Sequence, residues 1–394
     1  MTITPSTARF ICVHVLQTVP FANLNRDDTN SVKTVQYGGV LRTRVSSQCW
    51  KRAVRTEFQQ RIGQAALRTR RIGERVSRLL AEERSWPEDL AARAGAHLAV
   101  ASGIKFELEE KEKQVQPNKV IGNAMVYVPQ TAVAELADVA EEHRAKLENA
   151  KDIKKSTDKS VLPKEQVTAI LRSRNGVINL FGRMLAEVDD AGVDGAVQVA
   201  HAMTTHQTDV EIDYFSAVDD VTADWDDATG SAHMGHAEFS AGTFYRYATI
   251  DLEELATNLN GDLTAARELA EAFLHCFVRS LPQAKKNSTA PHTVPDLIHV
   301  TVRSDRPLSL AAAFEKPVHM AADGGYSAVS RDALADYADA VNAFMGADAI
   351  LCSGWTGLDA KQHTGLGERR TSLQDLVTAA LDTAFAPRSS GAAA

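Results

Sequence analysis

Residues 41 to 60 read LRTRVSSQCWKRAVRTEFQQ, and the stretch changes period partway along. Leu41 to Val45 reads as a short strand, whereas beyond Ser46 the apolar side chains recur at helical spacing. Ser46 or Ser47 suits the N-cap, and neither Gly nor Pro interrupts the dozen residues that follow. Trp50, Ala53, Val54 and Phe58 form one stripe, and Gln48, Lys51, Arg52 and Arg55 fall at i, i+3, i+4 and i+7 on another. One face packs and the other is cationic.

Upstream, FICVHVLQ (Phe10 to Gln17) is apolar, β-branched and too short for a buried helix, so it reads as a central strand. Downstream, residues 61 to 180 read as an insertion. They contain basic helical sequence, a loop at Trp86-Pro87, the strand GNAMVYVP, the acidic helix AVAELADVAEEHRAKLENA and a basic loop, KDIKKSTDKSVLPK, expected to be mobile. A helix over Val177 to Glu187 and the segment AVQVAHAMTTH precede two alternating runs, DVEIDYFSAV and EFSAGTFYRYATIDL, with an Asp-rich tip between them. That pattern is a long hairpin. An amphipathic helix over 263–280, stopped by Pro282, the loop QAKKNSTAPH, the strand LIHVTVRS and helices over 330–345 and 371–385 complete the chain. Without insertion and hairpin the order is strand, helix, strand, helix, strand. This predicts an α+β fold of RRM or ferredoxin type.

The chain has 394 residues, enough for roughly two to three units by a prior of about 150 each. Apolar residues make up 44% and charged residues 24%, which excludes wholesale disorder. No apolar run is long enough to span a bilayer, no signal-peptide pattern opens the chain, and Cys12, Cys49, Cys276 and Cys352 show no disulfide spacing. A cytoplasmic protein is expected. The net charge is −8, yet residues 42 to 78 hold eleven Lys or Arg against Glu57 and Glu74. A basic helix face is usually only solvated; this imbalance points instead to nucleic acid, with the helix start and its serines suited to phosphate. Lys285 and Lys286, and Lys151, Lys154, Lys155 and Lys159, are weaker basic candidates.

No phosphate-loop, dinucleotide-fold, nucleophile-elbow or catalytic-cysteine motif occurs, and no cofactor is expected. His201, His206, His233 and His236, with Asp219, Asp220 and Asp227, are the only residues that could suggest a metal-dependent nuclease. Their spacing matches no metal motif, so no metal site is expected.

FICVHVLQ, NRDDTNSVKTVQYGG, RVSSQCWKRAVR, AHAMTTHQTDVEIDYFSAVDD, GSAHMGHAEFSAGTFYRYATIDL and PLSLAAAFEKPV together resemble the Cas-seven-type (CasC) backbone subunits of type I-E CRISPR Cascade. The resemblance implies an RRM/ferredoxin-like palm (1–60, 181–202 and 244–385), a helical fingers insertion (61–180), a long β-hairpin thumb (203–243) and a disordered tail (386–394). It also implies a non-catalytic protein whose copies polymerise along one CRISPR RNA. Arg26, Lys33, Ser46, Gln48, Lys51, Arg52 and Arg55 match the family's RNA-contacting positions, and Ser47 adjoins them. Met184, Phe215 and Met234 match the residues wedged beside displaced bases, and Lys151, Lys154 and Lys155 the target-DNA contacts. Expected partners are the CRISPR RNA, paired target DNA, neighbouring copies and the other Cascade subunits: the large, the small, and the five-prime-end and hairpin-binding proteins. An acidic thumb tip over Asp224 to Thr229 is expected to avoid the RNA.

Overall fold

Phe10–Ala22 forms the strand around which the main sheet is built, in a computed structural model that describes residues 8–217, 233–282 and 284–387. Its run of apolar and β-branched side chains is buried on both faces, as a central strand requires. On one side it pairs antiparallel with His233–Asp251, and on the other with Leu297–Arg303. The next neighbour of the long strand is Ala202–Thr204, preceded by Val197–Val199, which pairs with the same strand further along. The four central strands therefore lie in the order of a βαββαβ sheet, with Ser47–Ile62 as the first crossover helix and Leu263–Arg279 as the second. Val40–Val45 and Thr34–Tyr37 extend one edge; Ile350–Gly357 and Glu368–Arg369 extend the other.

The chain divides into two compact units, one containing residues up to 57, 197–253 and 262 onward, the other 58–196 and 254–261. The second unit includes 181–196, which the sequence reading places with the palm. Its core is helical. Val76, Leu80, Leu98, Leu136 and Leu171 bury the inner faces of four helices. Ile72–Glu82 and Glu88–Ala101 approach so closely that a Cβ on Gly73 would lie 2.3 Å from the Gly95 carbonyl oxygen. The expected acidic helix is broken at His143 into Ala132–Glu142 and Arg144–Glu148. The helix expected over Val177 to Glu187 spans only Gly176–Phe181, ending at Gly182, whose φ of 78° takes the chain out of the helical region. The start of the basic loop packs against the helical core. Arg93 bridges to Asp152 at 2.9 Å, Asn118 bonds both Asp152 and the Ile153 amide, and Ile153 is buried.

Two imidazoles lie inside the main sheet. His14 stacks on His299 with ring centroids 5.2 Å apart, His14 shares a 2.8 Å hydrogen bond with the Tyr245 hydroxyl, and His299 donates from Nδ1 to the Gly354 carbonyl at 2.9 Å. Burial pushes His299 down to about 4 and lowers His14 well below the ordinary 6.5, with His299 adding to the latter shift. Between those limits the unfolded chain binds protons that the folded chain refuses, so stability falls as pH drops. It is complete above pH 6.5 and decays towards pH 4. Urea unfolding at pH 7.5 and pH 5 is expected to differ by at least about 2 kcal/mol, the acid sample being weaker. Equal stabilities would show that these rings are charged in the fold.

Candidate nucleic-acid interface

The cationic face begins where Val40–Val45 hands over to the Ser47–Ile62 helix. Of the two candidate caps, Ser46 serves. It is buried, and its hydroxyl accepts the Cys49 amide at 3.3 Å. The Ser46 amide donates to Asn25 Oδ1 at 2.8 Å, and the Ser47 amide to His201 Nδ1 at 2.9 Å. The helix start is thus largely satisfied from within. It is not the open cradle of amides that the sequence suggests, and charge must be met mainly by side chains further along.

Those side chains are in place. Gln48 and Arg52 are exposed, Lys51 and Arg55 half-buried, and Arg52 has no ion pair among the described residues. The Lys51 ammonium lies 3.5 Å from the Val197 carbonyl oxygen, which sets its direction from below. The preceding loop adds Arg26, exposed and bonded to Asn30 Oδ1 at 2.9 Å, and Lys33, half-buried. Asn25 ties that loop to the cap, since its backbone carbonyl accepts the Lys33 amide at 3.3 Å. Ser47 is half-exposed, which makes its hydroxyl, rather than that of Ser46, the one near solvent.

Beneath the helix lies a cation that the sequence does not mark. Arg246 is buried and stacks on Trp50, with its guanidinium 3.9 Å from a ring centroid. It donates to Gln17 Oε1 at 2.6 Å and to the Phe277 carbonyl, and burial pushes it down to about 9. Arg42 is also buried, donating to the Thr204 and Phe314 carbonyls at 2.9 Å each. In the second unit, Arg71 and Arg78 pair with Glu74, Arg71 also with Glu109, Arg68 covers Tyr127, and Arg70 bonds the Gly122 carbonyl. The basic window is therefore divided, and several of its eleven cations serve the fold.

The hairpin pairs Glu211–Ala217 with the start of His233–Asp251, and every residue of its first strand is exposed. Phe215 lies opposite Gly235, where a Cβ would come within 2.5 Å of the ring, so the missing side chain seats the aromatic. Met234, 76% exposed, lies opposite Ser216, one position along, and so projects from the other face. Tyr214, 79% exposed, shares that face, and the sequence reading missed it. Alternation in DVEIDYFSAV gives the signal: Tyr214 and Phe215 must point to opposite sides. Replacing Phe215 and Met234 together by Ala is expected to change unfolding free energy by under about 2 kcal/mol, because Met234 is mostly in water and Phe215 about half. A larger loss in a melting experiment would place them in a core. The acidic tip, Asp219, Asp220 and Asp227 lie outside the described residues, as does the His233 side chain.

Met184 is 91% exposed in the second unit. Lys151, Lys154 and Lys155 are exposed there too, and the amides of the last two donate to Asp158 Oδ2 at 2.8 and 2.9 Å. Lys154 and Lys155 thus open a turn closed by the Asp158 carboxylate. Lys285 is half-exposed in the left-handed region at φ 55°, starting the short helix Lys286–Thr289; only the backbone of Lys286 is described. His206 stacks on Tyr326 at 3.5 Å, and no group of three or more metal-ligating side chains occurs among the described residues. Nor is any described helix long and apolar enough to cross a membrane.

No curated protein matches the chain. Among solved structures, a chain of a "CRISPR RNA-guided surveillance complex, pre-nicking" is 42% identical, with 95% of this chain and 100% of that one covered at a TM-score of 0.87. A chain of a "CRISPR RNA-guided surveillance complex" is 38% identical, with 94% and 99% covered at 0.76. The model of the family described as CT1975-like protein matches residues 11–379. By both measures, near full-length match and sequence identity, the chain belongs to this family of CT1975-like proteins.

Proposed function

We propose that this chain is the CRISPR-RNA-binding backbone subunit of a type I-E surveillance complex, a scaffold without catalysis that polymerises along the guide. The carrying observation is the side-chain face Gln48, Lys51, Arg52 and Arg55, with Arg26 and Lys33 beside its start, on a helix whose other face is buried through Trp50 and Val54. Cations spaced along a helix meet successive phosphates and carry no base code, so the bases stay free for pairing. Sequence recognition then belongs to the guide. The bared hairpin supplies the second part. Phe215 on one face, and Met234 with Tyr214 on the other, give a two-sided apolar wedge that can hold apart neighbouring bases, at a cost of a few kcal/mol per unstacked step. Lys151, Lys154 and Lys155 are proposed as contacts to paired target DNA; the other Cascade subunits and further copies of the chain are its proposed protein partners.

The test is to extract and sequence the nucleic acid carried by the native protein. Repeat-derived handles joined to variable spacers are expected. Random cellular RNA would show a general single-strand coat instead. Metal-dependent RNA cutting that disappears in Asp220→Ala would replace the scaffold by a nuclease.

A further inference from the structure

His201 sits in the break between Val197–Val199 and Ala202–Thr204, two short strands that pair with the same long strand on either side of it. Such irregularities re-aim a side chain, and this one aims an exposed imidazole at the start of the Ser47–Ile62 helix. Nδ1 is the meeting point of two donors: the Ser47 amide at 2.9 Å and the Arg44 guanidinium at 3.3 Å. A nitrogen that accepts carries no proton, so the ring is neutral with its hydrogen on Nε2. The setting agrees. The positive end of a helix and a guanidinium both disfavour an imidazolium, and burial first, then Arg44, holds His201 below its ordinary value.

We propose that His201 is a positioning residue for the RNA grip: by accepting from Ser47 and Arg44 together it locks the first helical turn and the adjoining cation into one surface. The inference rests on the reading that the Ser47–Ile62 helix holds RNA. The Arg44 side chain has no ion pair among the described residues, and the Ser47 amide has no other acceptor.

The experiment measures binding of a fluorescein-labelled single-stranded RNA of mixed sequence to the purified full chain, after removal of carried nucleic acid. Variants are His201→Ala, His201→Asn, His201→Gln and the helix-face reversal K51E/R52E/R55E. Asn places an oxygen where Nδ1 lies, and Gln places it one bond further out. His201→Ala and His201→Gln are expected to bind about tenfold more weakly, and His201→Asn within about twofold of the native chain. The Asn rescue excludes a loss of fold as the cause. Equal weakness of Asn and Ala would overturn the proposal, because an acceptor at the Nδ1 position would then not be what RNA binding requires. Native affinity in His201→Ala, with binding lost in the helix-face reversal, would overturn it while leaving the RNA reading intact. Native affinity in the reversal would defeat that reading itself.

Discussion

Reversing Lys51, Arg52 and Arg55 to Glu together is expected to strip the protein of RNA and leave it folded. Arg52 is exposed, Lys51 and Arg55 are half-buried, and the buried side of the helix is held by Trp50 and Val54, so the core beneath it keeps its packing. Each side chain lies one turn or less from the next, a spacing that lets a flexible polyanion meet all three at once. Reversal removes three attractions and adds three repulsions. A fall in affinity of about a hundredfold or more at physiological salt is the expected size, with filament formation lost in consequence. Gel filtration with absorbance at two wavelengths reads both results. Retained RNA in a folded triple variant would move the grip elsewhere, to Arg26 and Lys33 or to the basic turn at Lys154.

The second large effect is on stability. Arg246→Ala is expected to destabilise the protein by about 3–5 kcal/mol, a sum of lost packing and two polar partners left buried without a donor. Gln17 Oε1 and the Phe277 carbonyl both depend on this guanidinium, and Trp50 loses the surface on which it rests. Arg246→Lys keeps the charge but loses the planar fork and the stacking, so it is expected to recover only part of the loss. Denaturant midpoints settle the matter. Because Trp50 anchors the cationic helix from beneath, the Ala variant should also lose RNA at temperatures where it is still folded. A change in midpoint of the size of an ordinary surface substitution would mean that the buried cation is dispensable.

Much of this architecture is legible in the chain because periodicity survives burial. Phe10 to Gln17 is apolar on both faces and is a central strand; SSQCWKRAVR has a helical stripe and is a helix; DVEIDYFSAV alternates and stands out as a hairpin strand. The core order of the sheet follows once strands and crossover helices alternate. Its extensions do not, since edge strands such as Glu368–Arg369 are set by long-range pairing with no local period. Charge is the other point where reading along the chain stops short. Composition counts Arg42 with Arg52, yet the first is sealed against carbonyls from residues 204 and 314 and the second faces water. Nothing local separates them. The same holds for His201, which reads as a weak metal candidate and proves to be an acceptor for a helix 154 residues earlier. Caps that come from distant strands leave no mark in the helix they cap.

The salt dependence of RNA binding addresses the central claim, that this protein holds its polymer by phosphate and not by base. Affinity should be measured from low to physiological salt for two single-stranded RNAs of equal length and unrelated sequence, on the native chain and on Arg52→Ala. Matching affinities for the two RNAs, and a logarithmic slope shallower by about 0.7 in the variant, are predicted. A strong preference for one sequence, or a slope that Arg52→Ala leaves unchanged, would contradict it.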